Sequence, residues 1–388
     1  MITIRDKSLC AGCSACANIC SKKCIEMVAD ERGFLYPSVK KSECVQCGLC
    51  NKICPFLNPK EVKDDKNAYA AYYKDESVRG VSSSGGLFGC LAKEILNKNG
   101  VVFGAAFADD FKSIKHIGIE RKEDLPKLYG SKYLQSVIGD SYKSAENYLK
   151  ADRLVLFVGT SCQVSGLKAY LRKDYDNLLT VDVICHGAPS PLVWRDYVTE
   201  KEQQYGSKIV GANFRNKRFG WGKSVLLLLF ADGSEYCEPG SKDEYMRGFL
   251  TNLYLRESCY KCKCKGNHVL SDISIGDFWG IEGVLPNFSD NKGASAVILN
   301  TEKGKAFFEK LKSELVIEKV DYGDVLKGNL ALVSPVAKPD KSEKFWKLYH
   351  KQGLFKAYKV CLKDTFIRKC YRFARRVCRK IKTTIKRK

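Results

Sequence analysis

Nowhere in this 388-residue chain do about 18 apolar residues follow one another, which excludes a membrane-spanning helix. The opening residues, Met1-Ile-Thr-Ile-Arg-Asp-Lys7, lack the apolar core and small-residue cleavage site of a secretory signal. The expected location is therefore cytoplasmic. An even count of cysteines is also missing: there are 19. Nine of them fall between Cys10 and Cys54. An odd number, tight spacing and no secretion signal argue against a disulfide framework. Clustered thiols in a reducing compartment read instead as metal ligands. Negative charge is scarce at one end, where residues 362–388 hold 12 Lys or Arg against a single Asp. That segment supplies half of the net charge of +22, so the basic character says little about the body. With 45% hydrophobic and 28% charged residues, the composition is that of a globular chain long enough for two or three ordinary cores.

What is abundant is a repeat. Cys10-Ala-Gly-Cys13-Ser-Ala-Cys16-Ala-Asn-Ile-Cys20 returns 34 residues later as Cys44-Val-Gln-Cys47-Gly-Leu-Cys50-Asn-Lys-Ile-Cys54-Pro55. Both copies read C-x2-C-x2-C-x3-C, the spacing of bacterial two-cluster ferredoxins. Three thiolates on a tight loop wrap one cubane, and the fourth is expected to begin a short helix aimed at the other. Cys10, Cys13, Cys16 and Cys54 then hold one 4Fe–4S cluster, and Cys44, Cys47, Cys50 and Cys20 the other. Ser21 stands where the first copy should carry Pro, and Cys24 reads as a small buried hydrophobe. The rival is structural zinc, which also takes C-x2-C pairs. Two full repeats with crossed fourth ligands favour iron–sulfur.

Residues 58–67 are polar, show no apolar period and read as a linker. A strand over 68–73 opens a second region. Ser82-Ser-Ser-Gly-Gly86 then leads into a helical pattern through Leu87, Leu91, Ile95 and Leu96 that ends at Gly100. Such a turn at a helix start suits a phosphate, although an ordinary N-cap explains it equally well. Strands follow at 101–107 and 115–120. The segment Tyr129-Gly-Ser-Lys-Tyr-Leu-Gln-Ser136 is polar and aromatic, in keeping with the border of a flavin. A buried strand at 153–158, a helix from Ser161 to about Arg172 and a strand at 178–184 form a β–α–β unit with parallel strands. That puts Cys162 and Cys185 at the carboxyl edge of the sheet, where α/β proteins hold ligands. An antiparallel region is expected over 207–236, with a turn at Asp232-Gly233.

Cys259-Tyr-Lys-Cys262-Lys-Cys264 is a half-site for metal that needs two more thiolates. Cys162 and Cys185 are available, so a third 4Fe–4S cluster is expected on Cys162, Cys185, Cys259 and Cys262; the alternatives are a buried strand-end role for Cys185 and zinc or free thiols at the C-x2-C-x-C. Cys264 would be an extra or alternate ligand. His186 reads as a hydrogen-bonding neighbour, and His116 and His268 have no evident partner. Asp272 and Asp277 suit strand-end hydrogen bonding. Lys261, Lys263 and Lys265 flank the thiols and would attract an acidic carrier.

Several segments together resemble the β-subunit family of coenzyme F420-reducing hydrogenases and F420-linked dehydrogenases. They are Ser82-Ser-Ser-Gly-Gly86, Gly130-Ser-Lys-Tyr-Leu-Gln-Ser136, Gly159-Thr-Ser-Cys162-Gln163, Cys185-His-Gly-Ala-Pro-Ser-Pro191, Cys259-Tyr-Lys-Cys262 and Ser271-Asp-Ile-Ser-Ile-Gly-Asp-Phe-Trp-Gly280. The bacterial branch associated with surface-polysaccharide gene clusters is the nearest in pattern. Cys264, where an aromatic is common, and Ser161, where Pro is common, depart from it. The resemblance implies FAD beside the third cluster. Ser83, Ser84, Gly85 and Gly86 would approach its phosphates, and Ser131, Lys132 and Gln135 its ring or ribityl side. Coenzyme F420 itself is a weaker implication. The implied architecture is α/β (α+β overall). A bacterial ferredoxin-type domain at 1–57 and a linker at 58–67 precede a mixed-sheet flavin-binding catalytic domain in two parts, 68–150 and 151–340. A basic amphipathic tail follows at 341–388.

In that tail Phe366, Cys370, Phe373, Ala374, Val377, Ile381 and Ile385 recur at helical spacing among Arg and Lys. Such a helix suits the inner face of a membrane, an acidic partner or the protein's own body. Nucleic acid is the weaker reading, because no recognition motif accompanies the charge. The expected function is an iron–sulfur flavoprotein oxidoreductase that exchanges electrons with a redox partner or carrier and acts on a carbohydrate precursor. Alternatives are an electron-transfer subunit without its own substrate and a basic nucleic-acid-binding iron–sulfur protein. No catalytic residue can be named.

Overall fold

The computed structural model describes residues 1–62 and 66–363. The chain divides into two compact units, Met1–Lys338 and a second beginning at Pro339. The basic tail positions from Phe366 onward lie outside the described residues. Among the described residues no helix is long and apolar enough to cross a membrane.

The first unit opens with the cysteine repeat. Two short helices, α1 (Ala15–Ile19) and α2 (Leu49–Lys52), flank a hairpin of β1 (Ile25–Ala29) and β2 (Leu35–Val39). Each thiol loop reaches its helix through two left-handed residues. These are Gly12 and Ser14 in one copy and Gln46 and Gly48 in the other. The 34-residue offset carries each onto its counterpart, so the backbone repeats even where glycine does not. One correction follows. The fourth cysteine of the first copy does not begin its helix. Cys20 caps the end of α1, because the left-handed Ser14 starts that helix ahead of Cys16. The helix spans the gap between third and fourth cysteines, and one turn carries Cys20 away from its own loop.

The body is built on an eight-stranded mixed sheet. Its strands are β3 (Asn67–Tyr73), β4 (Val101–Phe107), β5 (Ile114–Ile119), β6 (Val155–Thr160), β7 (Leu178–Val183), β11 (Ile273–Asp277), β12 (Ser295–Leu299) and β13 (Leu315–Val320). A separate antiparallel sheet holds β8 (Ile209–Asn216), β9 (Val225–Phe230) and β10 (Glu235–Pro239). The large sheet runs β13-β3-β12-β11-β7-β6-β4-β5. Its centre, β4, β6, β7 and β11, is parallel, and both flanks are antiparallel. Buried on both faces, β4 and β6 are nearly all apolar, while β7 and β11 also bury Thr180, Asp182 and Ser274.

Alternation along these strands sorts the core. Val102 and Leu156 face a cluster with Leu91 and Ile95 of α4 (Leu87–Asn97), which follows α3 (Glu76–Val81). Val101, Phe103, Val155 and Phe157 face Tyr142 of α5 (Ser141–Lys150) and Leu167 of α6 (Ser161–Leu171). Ala15 belongs to this second cluster, with Cys13, Ile19 and Ile53 packed against it. The repeat module therefore shares a core with the sheet rather than hanging from it. Polar 58–62 is tied down as well: Val62 N–H donates to Asn267 O at 2.7 Å.

The remaining helices of this unit are α7 (Pro191–Tyr205), α8 (Glu244–Leu250), α9 (Glu302–Glu309) and α10 (Tyr322–Gly328). Their starts are set by local chemistry. Ser190 caps α7 ahead of Pro191, and Asp243 caps α8 by accepting from Met246 N–H. Thr160 and Gln163 form a capping box at α6. The second unit contains α11 (Lys341–Cys361), broken at the left-handed Gly353.

Candidate functional site: buried thiols around one cavity

Strands β4, β6, β7 and β11 end at one edge of the sheet, and a cavity of about 1140 Å³ opens there. It is lined by Ser83, Ser84 and Gly86, by Ser131, Lys132 and Gln135, and by Cys162, Cys185, Cys259 and Cys262. Segments more than 150 residues apart in sequence thus share one wall. Gly85 is turned the other way. Its N–H donates to Ser295 Oγ at 3.0 Å, and a Cβ there would sit 2.6 Å from Ala71 O. Its lack of a side chain serves packing against the sheet, so it is withdrawn from the phosphate-approaching set.

The polar lining is held by cross-links between loops. Ser131 N–H donates to Ser83 Oγ at 2.7 Å, and Ser84 Oγ donates to Ala294 O at 2.8 Å. The Ser82–Gly86 turn is also clamped by Lys217, whose Nζ donates to Ser84 O, Arg79 O and Lys292 O. Lys132 is half-buried and donates to Tyr129 O and Gly130 O in its own turn. Burial pushes its pKa down to about 7. Gln135 faces two ways, donating to Ala11 O at 2.8 Å and accepting from Arg256 at 3.0 Å. Across the cavity, Arg215 Nε is buried with no hydrogen-bond partner among the described residues. Its Nη2 lies 3.4 Å from Asp277, and its guanidinium sits 4.7 Å from the centre of the Trp279 ring. Asp277 also accepts from Trp221 Nε1 at 2.8 Å, and burial raises its pKa.

The thiols fall into three neighbourhoods. Cys13 lies within electrostatic reach of Cys10, Cys16 and Cys54, which unites the crossed set expected from the repeat. Cys20 Sγ lies 3.4 Å from Cys24 Sγ, and Cys20, Cys44 and Cys50 meet around the buried Cys24. Cys47 is exposed. In the third neighbourhood Cys162 responds to Cys262 and Cys185, and Cys259 to Cys162 and Cys262. Burial pushes Cys162, Cys185 and Cys259 up to about 12. Cys264 is 3% exposed and feels Cys162, Cys262 and Cys13, so it stands between the first and third sets.

Iron–sulfur chemistry fits these thiols. A buried thiolate is costly on its own, and iron offsets that cost by ligating it. Backbone N–H groups that would favour the charged sulfur are already aimed: Ala15 at Cys13, Ala17 at Cys16, Gly187 at Cys185, and Ala188 at Cys259 at 3.3 Å. Among the described residues no three Cys, His, Asp or Glu side chains are gathered tightly enough for a single metal ion. The corners of a cubane stand farther apart than the ligands of one ion. An anionic ring-bearing ligand also suits the cavity, since Lys132 and Arg215 bring positive charge to its wall and Arg215 keeps Nε free beside Asp277.

Other expected residues have structural duties. His116 Nε2 lies 3.0 Å from Val158 O, and its Nδ1 accepts from Ser136 Oγ at 2.9 Å. His186 is the neighbour expected, 2.6 Å from Asn252 Oδ1. Asp272 accepts from Thr180 and Thr301 at strand ends. The expectation that Lys263 and Lys265 attract a carrier is corrected. Lys263 donates inward to Phe56 O and Lys265 to Cys185 O, satisfying buried carbonyls around the thiol loop. Arg256, Lys217 and Arg215 were missed altogether. Their basic character is ordinary in sequence, and only folding reveals what each side chain meets.

Two segments of the chain match known families. Residues 152–324 match the family described as the carboxy-terminal part of the coenzyme F420 hydrogenase/dehydrogenase beta subunit. Residues 9–58 match the 4Fe-4S dicluster domain. An uncharacterized polyferredoxin-like protein of Methanocaldococcus jannaschii is 35% identical over 60 residues, which is 13% of this chain and 36% of that protein. The chain thus spans about a third of that relative's length. A chain of the F420-reducing [NiFe] hydrogenase complex from Methanosarcina barkeri aligns at 19% identity and a TM-score of 0.47, over 78% of this chain and 91% of that one. Residues 152–324 thus carry the match to the carboxy-terminal part of the coenzyme F420 hydrogenase/dehydrogenase beta subunit, and residues 9–58 in front of them the match to the 4Fe–4S dicluster domain.

Proposed function

We propose that the protein is an iron–sulfur flavoprotein oxidoreductase whose cavity holds a flavin, FAD in the first instance, beside a third 4Fe–4S cluster. One observation carries this reading. Ser83, Ser131 and Lys132 line the same cavity as Cys162, Cys185, Cys259 and Cys262. At about 1140 Å³ the cavity exceeds the usual range for a drug-sized ligand, leaving room for a dinucleotide and a reacting partner. When bound, a flavin exchanges electrons in pairs or singly and a cubane cluster exchanges them singly.

The protein's own groups supply binding and proton control. Lys132, with its pKa lowered to about 7, is able to hold or release a proton at Nζ at neutral pH. Arg215 offers its unpartnered Nε to an anionic group. Phe214 and Phe249 give the cavity apolar walls that exclude water. The exposed edge near Cys47 suits contact with a redox partner. Val45 is 62% exposed there, and Lys22, Lys23 and Lys41 of the same module are exposed, with Glu43 and Glu26 as acidic neighbours in sequence. An acidic one-electron carrier protein fits such a surface. Coenzyme F420 is one candidate carrier at the cavity. The polysaccharide branch that the sequence resembles would make a carbohydrate precursor the substrate.

Anaerobic purification with iron, sulfide and released-cofactor analysis tests the proposal. About twelve irons with matching sulfide are expected, from three cubanes, together with one flavin. Absence of flavin would overturn the flavoprotein reading and leave the clusters standing. Zinc without sulfide would remove the clusters.

A further inference from the structure

Arg256 belongs to no sequence motif, yet its side chain is 1% exposed. Its guanidinium donates to Cys10 O at 2.7 Å, Leu35 O at 2.9 Å and Gln135 Oε1 at 3.0 Å, and Nη2 lies 3.6 Å from Cys10 Sγ. It also stacks 4.2 Å from the centre of the Tyr36 ring. None of these partners is a carboxylate. A fully buried guanidinium, which stays charged at any working pH, costs several kcal/mol unless negative charge lies nearby. The thiolates are the source of that charge. Cys10 belongs to the first set, and Arg256 also bears electrostatically on Cys162 and Cys259 of the third. The backbone ties it to the same place, because Cys259 N–H donates to Arg256 O at 2.9 Å. Gly12 completes the arrangement: a Cβ there would lie 2.9 Å from Arg256 Cζ, so only glycine lets the thiol loop close on the guanidinium.

We infer that Arg256 is the shared counter-ion of two neighbouring 4Fe–4S sites, on Cys10, Cys13, Cys16 and Cys54 and on Cys162, Cys185, Cys259 and Cys262, and that its charge favours the reduced form of both. The inference rests on the iron–sulfur reading of the proposed function. It adds a positioning residue that acts through the sulfur ligands. A positive charge beside a cluster stabilises the extra electron, and a hydrogen bond to a ligand sulfur acts in the same sense.

The test is an EPR-monitored redox titration of the full chain, purified anaerobically, with iron content measured first. Arg256→Gln is expected to keep its iron while both midpoint potentials fall. Electron occupancy at fixed ambient potential should drop roughly tenfold, or about 59 mV for a one-electron couple. Arg256→Lys keeps the charge and should stay close to wild type. Full iron with unchanged potentials in Arg256→Gln would overturn the inference and leave the clusters intact. A fall in Arg256→Lys as large as in Arg256→Gln would overturn its basis in charge. Should Arg256→Gln fail to fold, Gln135→Glu places a carboxylate against the guanidinium. Both potentials must then fall, and unchanged potentials defeat the idea. Wild-type protein without iron would instead sink the cluster reading itself.

Discussion

The outer thiol set and the inner one differ in how the chain brings their members together. Around Cys44, Cys47, Cys50 and Cys20 the backbone is short-range, and Cys47 reaches the surface beside exposed lysines. Around Cys162, Cys185, Cys259 and Cys262 the thiols come from three separate segments and are half-buried along the wall of a cavity. The outer set is made by a loop, and the inner one by a sheet edge. A set that reaches the surface is open to another protein, whereas one on a cavity wall is open to what the cavity admits. Cys264 and Arg256 stand where the inner set meets the first one.

Breaking the inner set should have the largest effect. Cys162→Ser is expected to lose about four irons per chain, read by iron and sulfide analysis, with the dicluster signal preserved. Unchanged iron would remove Cys162 from the ligand set. Cys54→Ser should remove the first cluster instead.

The next effect lies in pH. His116 is buried and neutral, with its pKa lowered to about 4 by burial against an ordinary 6.5. Between those values the unfolded chain binds more protons, so stability rises with pH through that window and is lost as pH falls from 6.5 to 4. The loss should reach roughly 3 kcal/mol. Urea melts at several pH values would show the slope, and His116→Gln should flatten it.

The seam between module and sheet gives a smaller effect. A Cβ at Gly166 would sit 2.6 Å from Tyr142 Oη and 2.9 Å from Cys13 Cβ. Gly166→Ala should cost about 1–3 kcal/mol by overpacking and broaden the EPR signal of the first cluster. A silent substitution would mean the module rides loosely on α6.

The smallest effect belongs to the outer rim. Charge reversal at Lys22, Lys23 and Lys41 together should slow reduction by an acidic ferredoxin about tenfold at low salt. Reduction by dithionite should stay unchanged. Equal rates with the ferredoxin would move the docking surface elsewhere.

Local rules carried far into this fold. The β6–α6–β7 unit follows from apolar runs separated by a capped helix, and its parallel pairing from the crossover rule. The crossed ligand pattern follows from the repeat alone. What stayed hidden were single residues whose meaning depends on burial. Gly85 read as a phosphate contact because Ser-Gly turns often serve as one, and its neighbours across the sheet decided otherwise. Lys263 and Lys265 read as surface charge because lysine usually is. Here their long stems carry Nζ to buried carbonyls.

The cysteine spacing by itself determined that this protein has a two-cluster module, because three thiols within seven residues can only wrap something small and local. Apolar runs on either side of a capped helix determined the parallel strand pair that leads to Cys162 and Cys185. Only the tertiary structure decided that these two meet Cys259 and Cys262 at the wall of one cavity, since no local rule brings residues 97 apart in sequence together. Only the tertiary structure decided, too, which cation faces them. Arg256 is one basic residue among 66 until folding strips its water away and sets its guanidinium 3.6 Å from Cys10 Sγ.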